Sequence, residues 1–562
     1  METTLSTLRS QAGGPKPGFS PASGPVSGSR RLNVRGRPPL IVILPSLLVS
    51  LILLAPLVYL VIRASDAGFD AFDMLTRART LHIFKNTVLL AAAVVATSII
   101  IAVPLAWLTS RTDLPGRTFW ASAAVLPLVV PSYVGAMTIV AAIGPRGLLQ
   151  EMLSGPFGVE RLPSIYGFFG AWLALSLFSY PYVFLNVKSA LSGLDPAYEE
   201  AARCLGHGPW RTFFLTTLPQ LRPAILAGSL LTALYTISDF GVVTLLRYDA
   251  FTRAIYMQYR SSFDRTMAAV LSLVLVAFAM GLVLTEAKIR GRGAYHRLGA
   301  GSARKMRPLP LGNWRWPSLI YCGFVLALSI GLPMSVLIYW LIRGLSRGDR
   351  VEGLGSAAWN SISVGAITAL VATVAAFPIA ILVVRYRGRL ARTIEQICYL
   401  GYGLPGIVIA LSFVFIGARY LTPLYQTLPL MVIAYTVRFL PQALGAEKTS
   451  MLQVSPRLEE AARTLGRTSF GAIRAVTAPL TRPGIAAGAT LVYLTVMKEL
   501  PITLLLSPTG YKTLATVIWT STGSGNFGEA ALPALILIGL SSLPAMWMAL
   551  RDRTHVARQD EH

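Results

Sequence analysis

Charged side chains are scarce in this chain: Asp, Glu, Lys and Arg make up 13% of its 562 residues, about half the share of an ordinary soluble protein. So few charges cannot solvate the outside of several water-soluble domains, which excludes a disordered chain, a coiled coil and most cytosolic enzymes. Acidic groups are the scarcer sign, 25 against 50 basic ones. Nucleic-acid binding does not follow from that excess, because it needs basic side chains on a solvated face, and long apolar runs deny one. Cysteine is rarer still: Cys204, Cys322 and Cys398 lie far apart and make neither a disulfide framework nor a CxxC metal knuckle. The five histidines (His82, His207, His296, His555 and His562) show no HExxH or paired-ligand spacing. No GxxxxGK[ST] phosphate loop occurs, so the chain carries no ATPase site of its own. No catalytic constellation and no cofactor motif stands out, and no metal-ligand set can be named.

Apolar residues, by contrast, are 54% of the chain, and the mean hydropathy is +0.59. A helix crossing a bilayer needs about 20 mainly apolar residues, and the chain offers twelve such runs. In the first half they are 39–62, 86–109, 119–143, 164–187, 224–246 and 267–287; in the second, 317–342, 360–384, 394–417, 425–446, 484–506 and 530–550. Segments 164–187 and 425–446 are the weakest, because an internal proline (Pro181, Pro441) and several polar residues dilute each run. The expected fold is therefore all-α: a polytopic membrane protein with about twelve transmembrane helices.

Residues 1–38, rich in Gly, Pro and Ser, read as a disordered cytoplasmic tail. With the N-terminus inside, the inner loops and both tails hold 33 of the 50 basic residues and the outer loops 15. That bias places both termini in the cytoplasm. Residues 288–316 carry eight Lys and Arg and read as a basic cytoplasmic linker, and 551–562 form the second tail.

The two halves, 39–287 and 317–550, repeat one another. Asn86 and Asn360 each open a span, followed by Pro104 and Pro378 and then by Pro131 and Pro405, all at an offset of 274. Beyond an outer loop that is longer in the first half the offset becomes 260, where EEAARCLG (199–206) matches EEAARTLG (459–466). Six spans per half give both copies one orientation, so the repeats are parallel, related by an axis along the membrane normal.

Between the fourth and fifth spans of each half lies a long inner loop, 195–219 and 455–479. Asp195–Pro196 and Ser455–Pro456 supply an N-cap followed by proline at the first helical position. Glu199, Glu200, Ala201 and Ala202, like Glu459, Glu460, Ala461 and Ala462, favour a helix with carboxylates at its positive end. Gly206 and Gly466 end it, and a second short helix is expected to stop at Pro219 or Pro479.

This spacing, Glu-Ala-Ala, three residues, Gly, then twelve residues to Pro, resembles the EAA loop of the permease subunits of ABC importers, and it occurs twice. The resemblance covers most of 86–285 and 360–550. It implies a coupling helix in each copy, with Glu199, Glu200, Ala201, Ala202 and Gly206, and Glu459, Glu460, Ala461, Ala462 and Gly466, seated on the ATPase. It further implies two copies of an ATPase subunit that bind the ATP, a periplasmic substrate-binding protein, and a place in the bacterial inner membrane. The segments after the loops, 237–265 and 495–506, look like those of the fused ferric-iron permeases. Iron(III) is the favoured cargo, with thiamine or another small solute as the alternative; the rival from another class is an ion-coupled secondary transporter.

Asp239 and the Lys498–Glu499 pair fall at membrane depth in the fifth spans, with Asp239 opposite Glu499 at the 260 offset. Ionisable groups there face a protein interior or a watery cavity. Either they line the translocation route, where carboxylates suit a hard cation, or they are a structural pair in which Lys498 or Arg438 neutralises Glu499. Gly401, Gly403 and Gly406 spell GxGxxG inside an apolar span; close helix packing or a kink at Pro405 explains them better than a nucleotide site.

Overall fold

Backbone polar groups find no water in lipid, so each spanning segment must satisfy its own, and helices do so. The computed structural model describes residues 38–560 except 67, 196, 262–265, 291–307, 349–350 and 387, with backbone alone at 69–72, 209, 286–290, 402, 543 and 545–560. Most of the 1–38 tail and of the 288–316 linker lies outside the described residues, as does Pro196. Among the described residues the fold is all-α, broken only by an isolated bridge between Thr112 and Leu309.

All twelve expected runs are helical. Among the described residues nine helices are long and apolar enough to cross a membrane, ten if one sharply bent pair counts as a span. Three boundaries shift. Ala78–Arg111 and Leu354–Arg385 begin well before Asn86 and Asn360, and Phe527–Asp560 runs on through the expected tail.

The kink at Pro405 is present as a full break, and Pro131 has one to match. Pro181 and Pro441 sit inside unbroken helices, Phe168–Gly193 and Leu428–Gln453, both prolines buried among neighbouring helices. The third run of each half is the one that parts. In the first, Arg117–Ala123 and the turn Leu126–Val129 end before Ser132–Ile143; in the second, Arg389–Gly401 meets Gly406–Arg419 at 102°. Pro131 and Pro405 precede the new helices with ψ of 140° and 144°. Proline donates no N–H and drives its predecessor extended, so a fresh helix starts behind it. The fifth run breaks too: Leu218–Ser238 restarts at Gly241–Leu245, and Ala478–Met497 restarts at Pro501–Leu506.

Pro219 and Pro479 do not stop the short loop helices. Each follows a single wide turn, Phe213–Thr217 and Ile473–Thr477, in which the N–H of Leu218 reaches Phe213 O and that of Ala478 reaches Ile473 O. The wider turn removes the clash between a proline ring and the carbonyl four residues back. Ala327–Gly331 does the same ahead of Pro333.

In each half three helices pack as a triangle: Ala78–Arg111, Phe168–Gly193 and Leu218–Ser238, then Leu354–Arg385, Leu428–Gln453 and Ala478–Met497. The first helix of each half crosses over. Leu40–Ser65 lies against Leu354–Arg385, and Cys322 and Val325 complete an apolar core otherwise built from first-half residues such as Leu105 and Tyr180. The halves are thus interlocked rather than merely abutting.

Candidate functional site

Both loops build the same device. Ala197–Cys204 and Pro456–Thr464 are short helices. Asp195 Oδ1 accepts the Ala197 N–H at 3.0 Å, whereas the Ser455 side chain makes no cap bond. At the far end the Gly206 N–H donates to Arg203 O (2.9 Å) and the His207 N–H to Ala202 O (3.2 Å); Gly466 and Arg467 repeat this at 3.0 and 3.1 Å. Gly206 and Gly466 both have φ of +83°, the left-handed conformation this helix ending requires. A Cβ at either would meet open space, so the glycine is required by its backbone angle rather than by a close approach.

The glutamates divide their work. Glu199 and Glu459 are each 4% exposed and turn inward, while Glu200 and Glu460 face outward. Glu459 Oε1 accepts from Arg385 Nε at 2.8 Å and from Thr477 Oγ1 at 2.6 Å. Glu199 Oε1 accepts from Thr217 Oγ1 at 3.0 Å, with Arg111 at 3.8 Å. Each arginine closes a second-span helix, and each threonine lies on the wide turn leading into the fifth. One buried carboxylate therefore ties the loop helix to two spans at once. Sequence reading missed these partners, although Arg111 and Arg385 share the 274 offset and Thr217 and Thr477 the 260 offset. It also missed Leu205 and Leu465, which stand 79% and 84% exposed beside the glycines.

The loops differ in their surroundings. Trp210 packs on Trp107, Phe214 and Trp314, and the end of the linker is stitched to the first half. Asp113 accepts from the Leu311 N–H (2.8 Å) and from Arg315 (3.1 Å). The Leu311 N–H, ahead of the Arg315 guanidinium, holds the Asp113 carboxyl below the usual carboxylate range.

The second candidate is the junction where the broken helices meet. Ser132 Oγ donates to Asp239 Oδ2 at 2.5 Å, and the Val242 N–H donates to Oδ1 at 2.8 Å, so Asp239 caps the restart of its span. Glu499 Oε1 accepts from Arg438 Nη1 at 3.2 Å and from the Ile502 N–H at 3.5 Å. Lys498 does not neutralise Glu499; its Nζ crosses to the other half and donates to Leu128 O at 2.8 Å. The structure thus brings Asp239, Glu499 and Arg438 within electrostatic reach of one another. Gly406 makes this possible, since a Cβ there would fall 1.3 Å from Arg438 Nη1; one at Gly401 would sit 2.8 Å from Val437 O, while one at Gly403 meets only Met280 Cε at 4.0 Å. Asn86 and Asn360 hold the segments beyond the fifth-span restarts, through Asp249 O (3.2 Å) and Lys512 O (2.9 Å).

Residues 102–287 and 371–553 each match the family described as binding-protein-dependent transport system inner membrane component. Over 517 residues the chain is 35% identical to the Fe(3+)-transport system permease protein FbpB 2 of Haemophilus influenzae, covering 90% of this chain and 97% of that one. The ferric transport system permease protein FbpB of Actinobacillus pleuropneumoniae is 24% identical over 81% of this chain and 69% of its own. The molybdenum transport system permease protein ModB of Escherichia coli is 32% identical over 212 residues, 91% of its length but 36% of this chain. With two family segments, two EAA loops and a full-length relative, the chain belongs to the binding-protein-dependent inner-membrane components, the multi-pass permease subunits of ABC importers.

Proposed function

We propose that this permease imports iron(III), received from a periplasmic binding protein, and that two ATPase subunits drive it, one on each EAA loop. The cargo rests on the relative whose name carries Fe(3+) and whose length this chain covers almost completely. The observation that carries the coupling is the matched pair of loop helices, each joined through one buried glutamate to the ends of a second and a fifth span. A push on the exposed Leu205 or Leu465 is then delivered to two spans through a rigid link. Glu200, Ala201, Glu460 and Ala461 face the ATPase; Glu199, Ala202, Glu459 and Ala462 are buried and fix the helix; Gly206 and Gly466 shape its end. ATP is bound by the partners, and the permease supplies no cofactor.

A single-unit relative, ModB, spans little more than a third of this chain, which supports reading residues 39–287 and 317–550 as two permease units fused by the 288–316 linker. Charge bias in the loops supports both termini in the cytoplasm and a bacterial inner-membrane location. Asp239, Lys498 and Glu499, at membrane depth where broken helices meet, would line the route. The test is reconstitution of the permease with its ATPase and binding protein in vesicles. ATP-dependent uptake of radiolabelled iron(III) is expected. Uptake of thiamine instead overturns the cargo, and uptake driven by membrane potential with no ATPase present overturns the class.

A further inference from the structure

The two halves meet the same electrostatic demand at the central junction in different ways. A carboxylate buried at this depth must find donors. In the first half the direct donors are neutral: the Ser132 hydroxyl and the Val242 N–H serve the two oxygens of Asp239. In the second half Ser132 is replaced by Gly406, and the room so gained admits the Arg438 guanidinium to Glu499. The position matching Arg438 in the first half is Phe178, and the one matching Lys498 is Ser238. Asp239 is thus bonded directly by neutral donors alone, whereas Glu499 takes a direct bond from the Arg438 guanidinium, Lys498 being spent on Leu128 O. The Tyr133 hydroxyl is buried with no hydrogen-bond partner among the described residues, within electrostatic reach of Glu499.

Resting on the reading of iron(III) as cargo, we propose that Arg438 is a tethered stand-in for the travelling cation. It occupies the Glu499 carboxylate between transport cycles, and a hard trivalent cation displaces it in passing, with the Tyr133 oxygen as an additional ligand. Carboxylate and phenol oxygens are the donors such an ion seeks. At equal distance a trivalent ion attracts a carboxylate about threefold more strongly than a monovalent one. It can therefore compete with a guanidinium where sodium or potassium cannot, and the same guanidinium repels those ions while the carrier idles.

The deciding experiment is a mutational cycle in the reconstituted complex, with iron(III) supplied on the binding protein. Arg438→Gln frees Glu499, and potassium leak through the idle complex is expected to rise several-fold. In Arg438→Gln/Glu499→Gln the amide oxygen still accepts the Ile502 N–H and no charge is left unpaired, so a purely structural pair predicts restored transport. The proposal predicts normal ATPase binding and basal hydrolysis but iron(III) uptake at least tenfold below wild type. Uptake within twofold of wild type in the double variant overturns it. Should that variant not assemble, Arg438→Lys decides: a compact ammonium holds Glu499 differently, so the KM for iron(III)-loaded binding protein shifts at unchanged basal hydrolysis, and an unchanged KM overturns the proposal. Wild-type complex that imports no iron(III) at all refutes the cargo, whereas wild-type uptake with unaffected variants refutes only the stand-in.

Discussion

The buried link between each loop helix and the spans gives the sharpest quantitative expectation. Glu459→Gln keeps an oxygen for Thr477 but removes the charge facing Arg385, at a site where both side chains are almost wholly buried and the contact is 2.8 Å. Removing one member of a buried, hydrogen-bonded ion pair costs about 3–5 kcal/mol. The surviving amide oxygen argues for the lower end, and 3 kcal/mol is about a hundredfold in the equilibrium between a seated and a detached loop helix. Glu199→Gln should cost less, about 1–2 kcal/mol, because Arg111 stands 3.8 Å away and the direct bond is to Thr217. Glu460→Gln, on the outward face, leaves the link untouched. The assay is ATP-driven uptake beside ATP hydrolysis in the reconstituted complex. Glu459→Gln is expected to hydrolyse ATP while losing at least ten-fold in uptake, with Glu199→Gln intermediate. Full uptake by Glu459→Gln, or a larger loss for Glu199→Gln than for Glu459→Gln, refutes the reasoning.

Gly206→Ala and Gly466→Ala meet no neighbour but force alanine to φ of +83°, at about 1–2 kcal/mol each; copurification of the ATPase should weaken, and a double variant that copurifies like wild type contradicts this. Leu205→Asp with Leu465→Asp places charge on the two most exposed apolar positions of the loops; ATPase binding should fall by at least tenfold while thermal stability of the detergent-solubilised permease is unchanged, and retained binding would remove these residues from the interface.

Much of the architecture was legible because lipid makes it so. Twelve apolar runs, one charge-poor composition and two matching EEAAR segments sufficed for an all-α, duplicated membrane protein. The loop helices and their glycine endings were legible too, since capping is local chemistry. Proline was legible in part. A kink at Pro405 was in view, but no local pattern separated Pro131 and Pro405, which end one helix and start another, from Pro181 and Pro441, which lie within unbroken helices. Whether a buried proline bends, breaks or merely interrupts a helix depends on what neighbours supply to the freed carbonyl, and that is absent from any local pattern.

The sequence alone determined the solvent of this protein, its apolar helical runs and its repeat, because each follows from local composition and period. Only the tertiary structure decided which glutamate of each EE pair faces inward, that Arg438 rather than Lys498 holds Glu499, and that the first helix of each half crosses to the other. Those outcomes turn on approaches between residues from 18 to 370 positions apart in the chain. A carboxylate selects its partner by distance and burial, and neither is written in the order of residues.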